Sequence, residues 1–136
     1  SQGRVAIIGA NIPANNSQAL ITSFAVYELL KGPNFFFAPR ITGSNPTTMI
    51  NPSEWVSICN RLGKPVSTFQ SRQLGSQVGN RLFSRQYTLG YVYLNWTGEA
   101  QTVTLPSGHT WLDANNRSVT RITIPNLTGT YVRLSN

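Results

Sequence analysis

The sequence is poor in acidic residues, and this restricts the chemistry it can support. Only four of its 136 residues are Asp or Glu, and charged residues make up 11% of the chain, against about 25% in an average protein. Nine Arg and two Lys leave a net charge of +7. A basic chain attracts anionic partners, but these arginines are scattered singly between Arg4 and Arg133. Without a basic run or a stacking motif, nucleic-acid binding is not favoured.

Cysteine and histidine occur once each. The single Cys59 excludes an intrachain disulfide, and it lies in a segment predicted to be helical, where a buried and inert thiol is expected. Catalysis by a cysteine–histidine pair would require Cys59 and His109, and no pattern places the two together. Gly9 does not open a glycine-rich phosphate loop. The sequence therefore predicts no catalytic residue, no metal site and no cofactor.

Long hydrophobic runs are also missing. No stretch approaches the roughly 18 apolar residues of a membrane span, and the sequence shows neither a signal peptide nor an initiating Met. It is therefore expected to be a mature form, a trimmed form or a segment of a longer polypeptide. Its uncharged polar residues, mainly Ser, Thr, Asn and Gln, are typical of extracellular or cell-surface proteins.

The first half of the chain contains two short apolar runs. Residues 4–9 and residues 34–38 each open on a polar residue and are then continuously apolar, which indicates strands buried on both faces, as in a parallel sheet. Polar loops are predicted to follow them, at residues 10–16 and 39–50. With a helix between the two runs, this pattern predicts a βαβ unit with a right-handed crossover.

The connecting helix is predicted over about residues 17–31. Apolar residues recur there at helical spacing, and Asn16 or Ser17 can cap the free amides at its start. Lys31, a left-handed Gly32 and Pro33 are expected to end it.

A second helix is predicted from Pro52 to about Leu62. Asn51 is suited to the capping position, Pro52 to the first helical position, and Glu54 completes a capping-box pattern. The sequence Gly63-Lys64-Pro65 is expected to stop this helix.

The last part of the chain has the alternation of β-strands. Successive residues are assigned to opposite faces of strands, Leu82, Ser84 and Gln86 against Phe83, Arg85 and Tyr87, and Thr102 and Thr104 against Val103 and Leu105. Residues 81–131 therefore predict an antiparallel sheet with one face buried. Residues 67–80 show no periodicity and are predicted as a polar connection. Turns are predicted at residues 89–90, 97–99 and 115–116.

The fold class predicted is α/β followed by all-β, with two units at residues 1–75 and 76–136. A physical difficulty accompanies this prediction, because two parallel strands with two helices do not complete a sheet. Either the β-rich tail packs directly on the βαβ unit, or residues outside this chain complete the sheet.

The order of several motifs carries a family resemblance. Leu62-Gly63-Lys64-Pro65 ends a helix, an arginine and aromatic strand follows at residues 81–87, and further strands follow at residues 91–97 and 102–106. This order resembles the end of (β/α)8-barrel glycoside hydrolases and related proteins, which carry an antiparallel β-sandwich after the last barrel helix. The resemblance implies a βαβα barrel-end segment followed by a small antiparallel β-sandwich.

The resemblance also implies where a substrate would bind. Active sites of such barrels lie at the carboxyl ends of the strands, and here these positions are residues 10–11 and 38–40. Asn11 and Arg40 are therefore predicted to contact substrate, since both offer hydrogen-bond donors to sugar hydroxyls. The alternative is that both satisfy backbone groups in loops.

Hydrolysis normally needs two carboxylates beside the scissile bond. None of the four acidic residues follows a late-strand position, so the catalytic groups are expected to lie outside this chain or to be absent. The four are Glu28, Glu54, Glu99 and Asp113.

Tryptophan offers a large apolar face for stacking on a sugar ring. Trp96 and Trp111 are predicted to contact substrate in this way, with core or edge packing as the alternative for each. Trp55 is expected to pack between helix and sheet. Four triplets match the N-glycosylation acceptor pattern, and they begin at Asn15, Asn95, Asn116 and Asn126.

These observations lead to two functional expectations. The first is the C-terminal part of a glycoside hydrolase-like, carbohydrate-active protein, non-catalytic by itself and supporting or lining a sugar site. Its partners would be a carbohydrate and the remainder of a larger polypeptide. The alternative is a self-associating secreted or surface structural protein, in which identical subunits cover the open sheet edges.

Overall fold

The computed structural model describes residues 6–13, 16–32, 35–42, 52–74 and 79–136. These ranges contain two helices, α1 (Ser17–Leu30) and α2 (Pro52–Leu62). They also contain ten strands: β1 (Ala6–Pro13), β2 (Phe35–Thr42), β3 (Gln70–Gln73), β4 (Arg81–Tyr87), β5 (Gly90–Trp96), β6 (Gln101–Thr104), β7 (Trp111–Asp113), β8 (Ser118–Val119), β9 (Arg121–Ile124) and β10 (Thr128–Leu134).

Strands β1 and β2 form a parallel pair, with α1 as the connection between them. The pairing runs without interruption from Ala6 with Phe35 to Pro13 with Thr42. Both strands are longer than predicted, so residues 10–13 and 39–42 continue the strands instead of starting loops. Pro13 ends β1 and Pro39 lies inside β2, although proline has no N–H to donate to a ladder. Proline is nevertheless tolerated at strand ends and along open edges.

The other strands form two antiparallel sheets. The larger sheet has the order β3-β4-β5-β10-β7-β8, and the smaller contains β6 and β9. The predicted antiparallel arrangement of residues 81–131 is therefore confirmed, whereas the prediction of one buried face is wrong for the larger sheet, which buries side chains on both faces. The larger sheet starts earlier than predicted, because β3 lies within residues 67–80. All four β3 residues are exposed, and a fully exposed polar strand has no hydrophobic alternation to reveal it.

Two clusters of buried side chains lie on opposite faces of the larger sheet. On one face α1 contributes Phe24, Ala25 and Leu29, which pack with Val92 and Tyr131 of the sheet. Phe24 meets the Tyr131 ring edge to face, with 5.5 Å between the ring centroids. The second cluster joins the larger sheet to β9 and to the residue after β6, and it consists of Leu82, Tyr93, Leu105, Trp111, Ile122, Ile124 and Val132.

Helix α1 begins as predicted, and its end differs in one respect. The Asn16 side-chain oxygen accepts a hydrogen bond from the Ala19 amide at 2.9 Å, which satisfies one of the free donors of the first turn. The Lys31 amide still bonds to Tyr27 O at 2.8 Å, but Lys31 itself is extended (ψ 139°). Gly32 is not in the left-handed conformation that was predicted for it. The chain leaves α1 through an extended residue.

Helix α2 has the predicted bounds and the predicted end. Gly63 adopts φ +80°, where a side chain would be strained, and its amide bonds to Cys59 O at 3.0 Å. These are the features of a glycine that closes a helix.

Gly90 is needed because the neighbouring strand leaves no room for a side chain, and not because of a positive φ. The predicted turn at residues 89–90 falls one residue earlier, and Gly90 is the first residue of β5. A Cβ atom on Gly90 would lie 2.2 Å from Val132 O on the neighbouring strand. The turn at residues 115–116 is confirmed, with Asn116 at φ 61°.

The chain therefore contains both predicted kinds of structure, and β-structure predominates. The order βαβα followed by β-strands agrees with the sequence, while the division at residue 75 stays a prediction. Within the ranges given above, no helix is long and apolar enough to cross a membrane.

Candidate functional site

Asn11 and Arg40, the two residues predicted to contact substrate, are brought side by side. They are register partners on the neighbouring parallel strands β1 and β2. Each stands two residues before the end of its strand, so both lie inside the strands and not in loops. Their role in substrate binding stays a prediction.

Trp96 is the more exposed of the two candidate stacking residues, with 53% of its surface accessible. It ends β5 and is the register partner of Arg81, whose Nη1 donates to Ser71 Oγ at 3.1 Å. Nearby on this side of the sheet, Phe69 is 43% exposed and packs edge to face on Phe83. Trp96 therefore has a free surface available for a flat ligand.

Trp111 lies in the core, with 5% of its surface accessible. Its Nε1 donates to Pro106 O at 2.8 Å, and its ring contacts Tyr91 and His109, with centroid distances of 5.6 and 5.9 Å. Both the indole N–H and much of the ring are thus used inside the protein. The sugar contact predicted for Trp111 stays a prediction. Trp111 exposes far less of its surface for such a contact than Trp96 does.

A buried polar cluster surrounds Glu28, which has no solvent-accessible surface. Lys31 Nζ forms an ion pair with Glu28 Oε2 at 2.5 Å. The Tyr87 hydroxyl donates to the same carboxylate and also lies 2.7 Å from the Glu28 backbone oxygen. Burial raises the pKa of Tyr87, and its hydrogen bond to Glu28 raises it further. The hydroxyl therefore stays a proton donor throughout the physiological range.

Cys59 completes this cluster from α2. Its Sγ donates to Glu28 Oε1 at 3.3 Å. Burial, followed by the charge of Glu28, raises the pKa of the Cys59 thiol to about 11. The thiol is thus protonated at neutral pH, as expected of an unreactive cysteine, although Cys59 is half-buried and not fully buried as predicted.

Arg85 holds the end of α1 beside this cluster. Its Nη1 donates to three backbone oxygens, those of Glu28, Leu29 and Lys31, at 3.0, 3.3 and 2.9 Å. Its Nε donates to Ser67 O at 2.8 Å. A cation at the C-terminus of a helix stabilises the unpaired carbonyls there. The polar groups around Glu28 thus bond to one another, which indicates a structural role for the cluster.

The sequence alone does not reveal the cluster around Glu28. Glu28 appeared as an ordinary helix residue, and the tyrosine that meets it lies 59 residues away. The one available signal was its position in α1, between the buried Ala25 and Leu29, where a carboxylate is unusual.

A cleft of about 400 Å³ lies elsewhere, between α1, the turn after β7 and the edge of β9. Its walls include Gln18 and Ile21 of α1, Asn115 and Arg117 of the turn, and residues 121–125. Arg117 pairs with Asp113, with Nη2 2.9 Å from Oδ2. Although burial alone would raise the pKa of Asp113, its hydrogen bonds from Arg117 and Asn115 lower it.

The acceptor triplets differ in accessibility. Asn95 is fully buried, and its Nδ2 donates to Ile124 O at 2.7 Å and to Glu99 O at 2.8 Å. Asn116 is exposed and accepts from Arg133, and Asn126 is half-buried and accepts from the Gly98 amide. Asn15 lies outside the described residues.

In the part of the chain that the structure describes, no three His, Cys, Asp or Glu side chains come together as metal ligands would. Compared with models of protein families, with curated proteins and with solved structures, the chain matches none of them. Its function must be inferred from its own residues and their geometry.

Proposed function

We propose that this chain is the non-catalytic C-terminal part of a glycoside hydrolase-like, carbohydrate-active protein. In this proposal β1, α1, β2 and α2 are the last elements of a barrel, and the antiparallel sheets are an appended β-sandwich. The chain would support a sugar site and line it with Asn11 and Arg40.

The parallel β1–β2 pair is the observation that carries the proposal. Parallel strands occur almost only in sheets covered on both faces, and among the described residues no third strand pairs with β1 or β2. A continuing parallel sheet supplied by further residues would satisfy their open edges. The register supports the site, because it places Asn11 opposite Arg40 near the carboxyl ends of the two strands.

The sugar site is tested by binding. Soluble cello-, xylo-, chito- and malto-oligosaccharides are titrated into the chain, and the heat of binding is measured. We expect one class to bind, and Asn11→Ala and Arg40→Ala each to weaken it by about two- to tenfold, as the loss of one hydrogen bond does.

A matched pair of controls is available on α2. Asn60 and Arg61 are exposed, so Asn60→Ala and Arg61→Ala remove the same chemical groups elsewhere and should leave the affinity unchanged. Equal losses at both pairs, or no binding of any of these sugars by the chain or by a longer polypeptide that contains it, would contradict the sugar site.

The barrel reading has a separate test in the mass of the native product. A complete barrel takes about 200 residues or more. A native product of 136 residues would therefore overturn the barrel hypothesis, and this result would not depend on whether the chain binds a sugar.

The alternative is that identical subunits cover the open edges. It is favoured by β3, an edge strand whose four residues are all exposed. Light scattering across a range of protein concentrations tests it, since the alternative requires an oligomer and a monomer at every concentration excludes it.

A further inference from the structure

Strand β9 has one paired edge and one open edge. Among the described residues it pairs with β6 alone, and its other edge lines the cleft of about 400 Å³ through residues 121–125. A volume of this size falls within the range of ligand sites, which is about 300–1,000 Å³. An open strand edge inside a cleft is a template on which a further strand can pair.

The register shows which backbone groups face the cleft. The Leu105 amide bonds to Thr120 O at 3.0 Å, so these two residues form a hydrogen-bonded pair just beyond the β6–β9 ladder. Hydrogen-bonded and non-hydrogen-bonded pairs alternate in an antiparallel ladder. The N–H and C=O groups of Ile122 and Ile124 therefore point to β6, and those of Arg121 and Thr123 point away from it, into the cleft.

These outward groups have no backbone partner among the residues described. None of the backbone hydrogen bonds outside the ladders involves Arg121 or Thr123. Their spacing, two residues apart along one strand, is the spacing at which an added strand forms its hydrogen bonds.

The side chains around the edge define what such a strand would look like. Ile122 and Ile124 are buried and Arg121 and Thr123 are exposed, so a strand added to β9 has one face toward the apolar interior and the other toward solvent. Half-buried apolar groups of Ile21 and Val119 line the interior side. The incoming strand therefore needs apolar residues alternating with polar ones.

The charges at the cleft indicate which polar residues the added strand would carry. Asp113 neutralises Arg117 at the cleft, whereas the Arg121 guanidinium forms no ion pair or hydrogen bond with any described side chain. A carboxylate on the solvent-facing side of an added strand would stand opposite Arg121, as an oppositely charged cross-strand pair.

We propose that the open edge of β9 binds an extended peptide by β-strand addition. The peptide alternates apolar residues, which face the cleft interior, with acidic residues, one of which pairs with Arg121. This inference is independent of the sugar site at Asn11 and Arg40. A second copy of this chain is a poorer occupant, because it has only four acidic residues and a net charge of +7.

The probe is the peptide acetyl-Thr-Val-Glu-Val-Glu-Val-Thr-amide, with a matched peptide in which lysine replaces both glutamates. Hydrogen exchange of the backbone amides is followed by nuclear magnetic resonance. In the free protein we expect the Arg121 and Thr123 amides to exchange rapidly. At a peptide concentration about ten times Kd, their exchange should slow about tenfold.

Two variants test the contacts. Arg121→Glu should reverse the preference, so that the lysine peptide binds more tightly than the glutamate peptide. Thr123→Pro removes an N–H that faces away from β6, a position where an edge strand tolerates proline, and it should abolish the protection at Arg121. Arg72→Glu makes the same change of charge on the exposed strand β3 and should leave both affinities unchanged.

Four results would overturn the proposal. Slow exchange at Arg121 and Thr123 in dilute free protein would mean that the chain itself covers the edge. Protection that grows with protein concentration would assign the edge to a second copy. Equal affinity for the two peptides would exclude the role of Arg121. Perturbation of these amides by oligosaccharides but not by peptide would assign the cleft to sugar.

Discussion

Glu28 carries a fully buried carboxylate. It has no accessible surface, and its carboxylate is met by Lys31, Tyr87 and Cys59. Leaving a buried charge without its partners costs about 3–5 kcal/mol. Its partners come from β4, from α2 and from the residue after α1, so this one carboxylate links three parts of the chain.

Removal of the Tyr87 hydroxyl should expose this dependence. In Tyr87→Phe the Glu28 carboxylate and backbone oxygen lose a buried donor, and we expect the free energy of unfolding in urea to fall by about 1–3 kcal/mol. Tyr91→Phe is the control, because no described residue bonds to the Tyr91 hydroxyl. Equal effects of the two substitutions would mean that the Glu28–Tyr87 contact contributes nothing specific.

Cys59 should be nearly unreactive in the folded protein. Its thiol has a pKa of about 11, so at pH 8 the reactive thiolate is only about a thousandth of the total. We expect alkylation by iodoacetamide to be roughly a hundredfold slower than in the urea-unfolded chain, where the thiol has an ordinary pKa. Similar rates in the two states would show that the thiol is neither shielded from solvent nor bonded to Glu28.

Asp113 should make stability depend on acid pH. Its pKa is lowered in the folded protein, so its contribution is complete above its unfolded pKa of about 3.9. That contribution is lost as pH falls through the lower folded value. The free energy of unfolding should therefore drop below about pH 4, and less steeply in Asp113→Asn. Identical pH profiles for the two proteins would rule out this contribution.

At the scale of elements, the approach of β5 to β10 depends on Gly90. A Cβ atom there would lie 2.2 Å from Val132 O and 2.8 Å from Leu62 Cδ2. Gly90→Ala should lower the free energy of unfolding by about 1–3 kcal/mol, as overpacking does. Gly79 has no atom within 4 Å of the corresponding position, so Gly79→Ala should be neutral or stabilising by about 0.4–1 kcal/mol. A neutral Gly90→Ala would mean that the strands are further apart than described.

The helices were predictable because their signals are local. Asn16 caps α1, and Pro52 and Gly63 bound α2, so both helices could be placed from neighbouring residues alone. Strand β3 could not be placed, because its polar residues are all exposed. The ends of β1 and β2 were missed because β1 continues past Gly9 to Pro13 and β2 continues through Pro39.

The candidate sites also differ in whether local sequence signals could predict them. Asn11 and Arg40 were predicted from their positions near the ends of two strands, as the barrel resemblance implies, and their pairing depends only on a parallel register. The Glu28–Tyr87 contact and the open edge of β9 depend on which distant strands pair, and no local pattern specifies that. Trp96 and Trp111 look equivalent in sequence and differ in exposure, 53% against 5%, because only Trp111 is enclosed by the second cluster of buried residues.

At the scale of the whole molecule, α1 joins the parallel pair to the larger sheet. Phe24 is 1% exposed and packs on Tyr131 of the central strand β10. Phe24→Ala should lower the free energy of unfolding by about 3–5 kcal/mol. Leu30→Ala is the matched control on the same helix, because Leu30 is 46% exposed.

Because α1 packs against both the parallel pair and the larger sheet, the unmodified protein should unfold in one step. Helical circular dichroism and tryptophan fluorescence are expected to report the same midpoint in urea. Two separate midpoints would favour independent units at residues 1–75 and 76–136.

The burial of Asn95 sets a limit on when this protein can be modified. Its amide bonds to Ile124 O and Glu99 O, yet Asn95-Trp96-Thr97 is also an acceptor triplet for N-linked glycans. In a glycosylating cell, the transferase must reach Asn95 before β5 is enclosed, and a glycan attached there excludes the native strand. In such a cell, attachment of a glycan to Asn95 and folding of β5 would therefore compete. The fraction of secreted chains without a glycan at Asn95 would measure how often folding comes first.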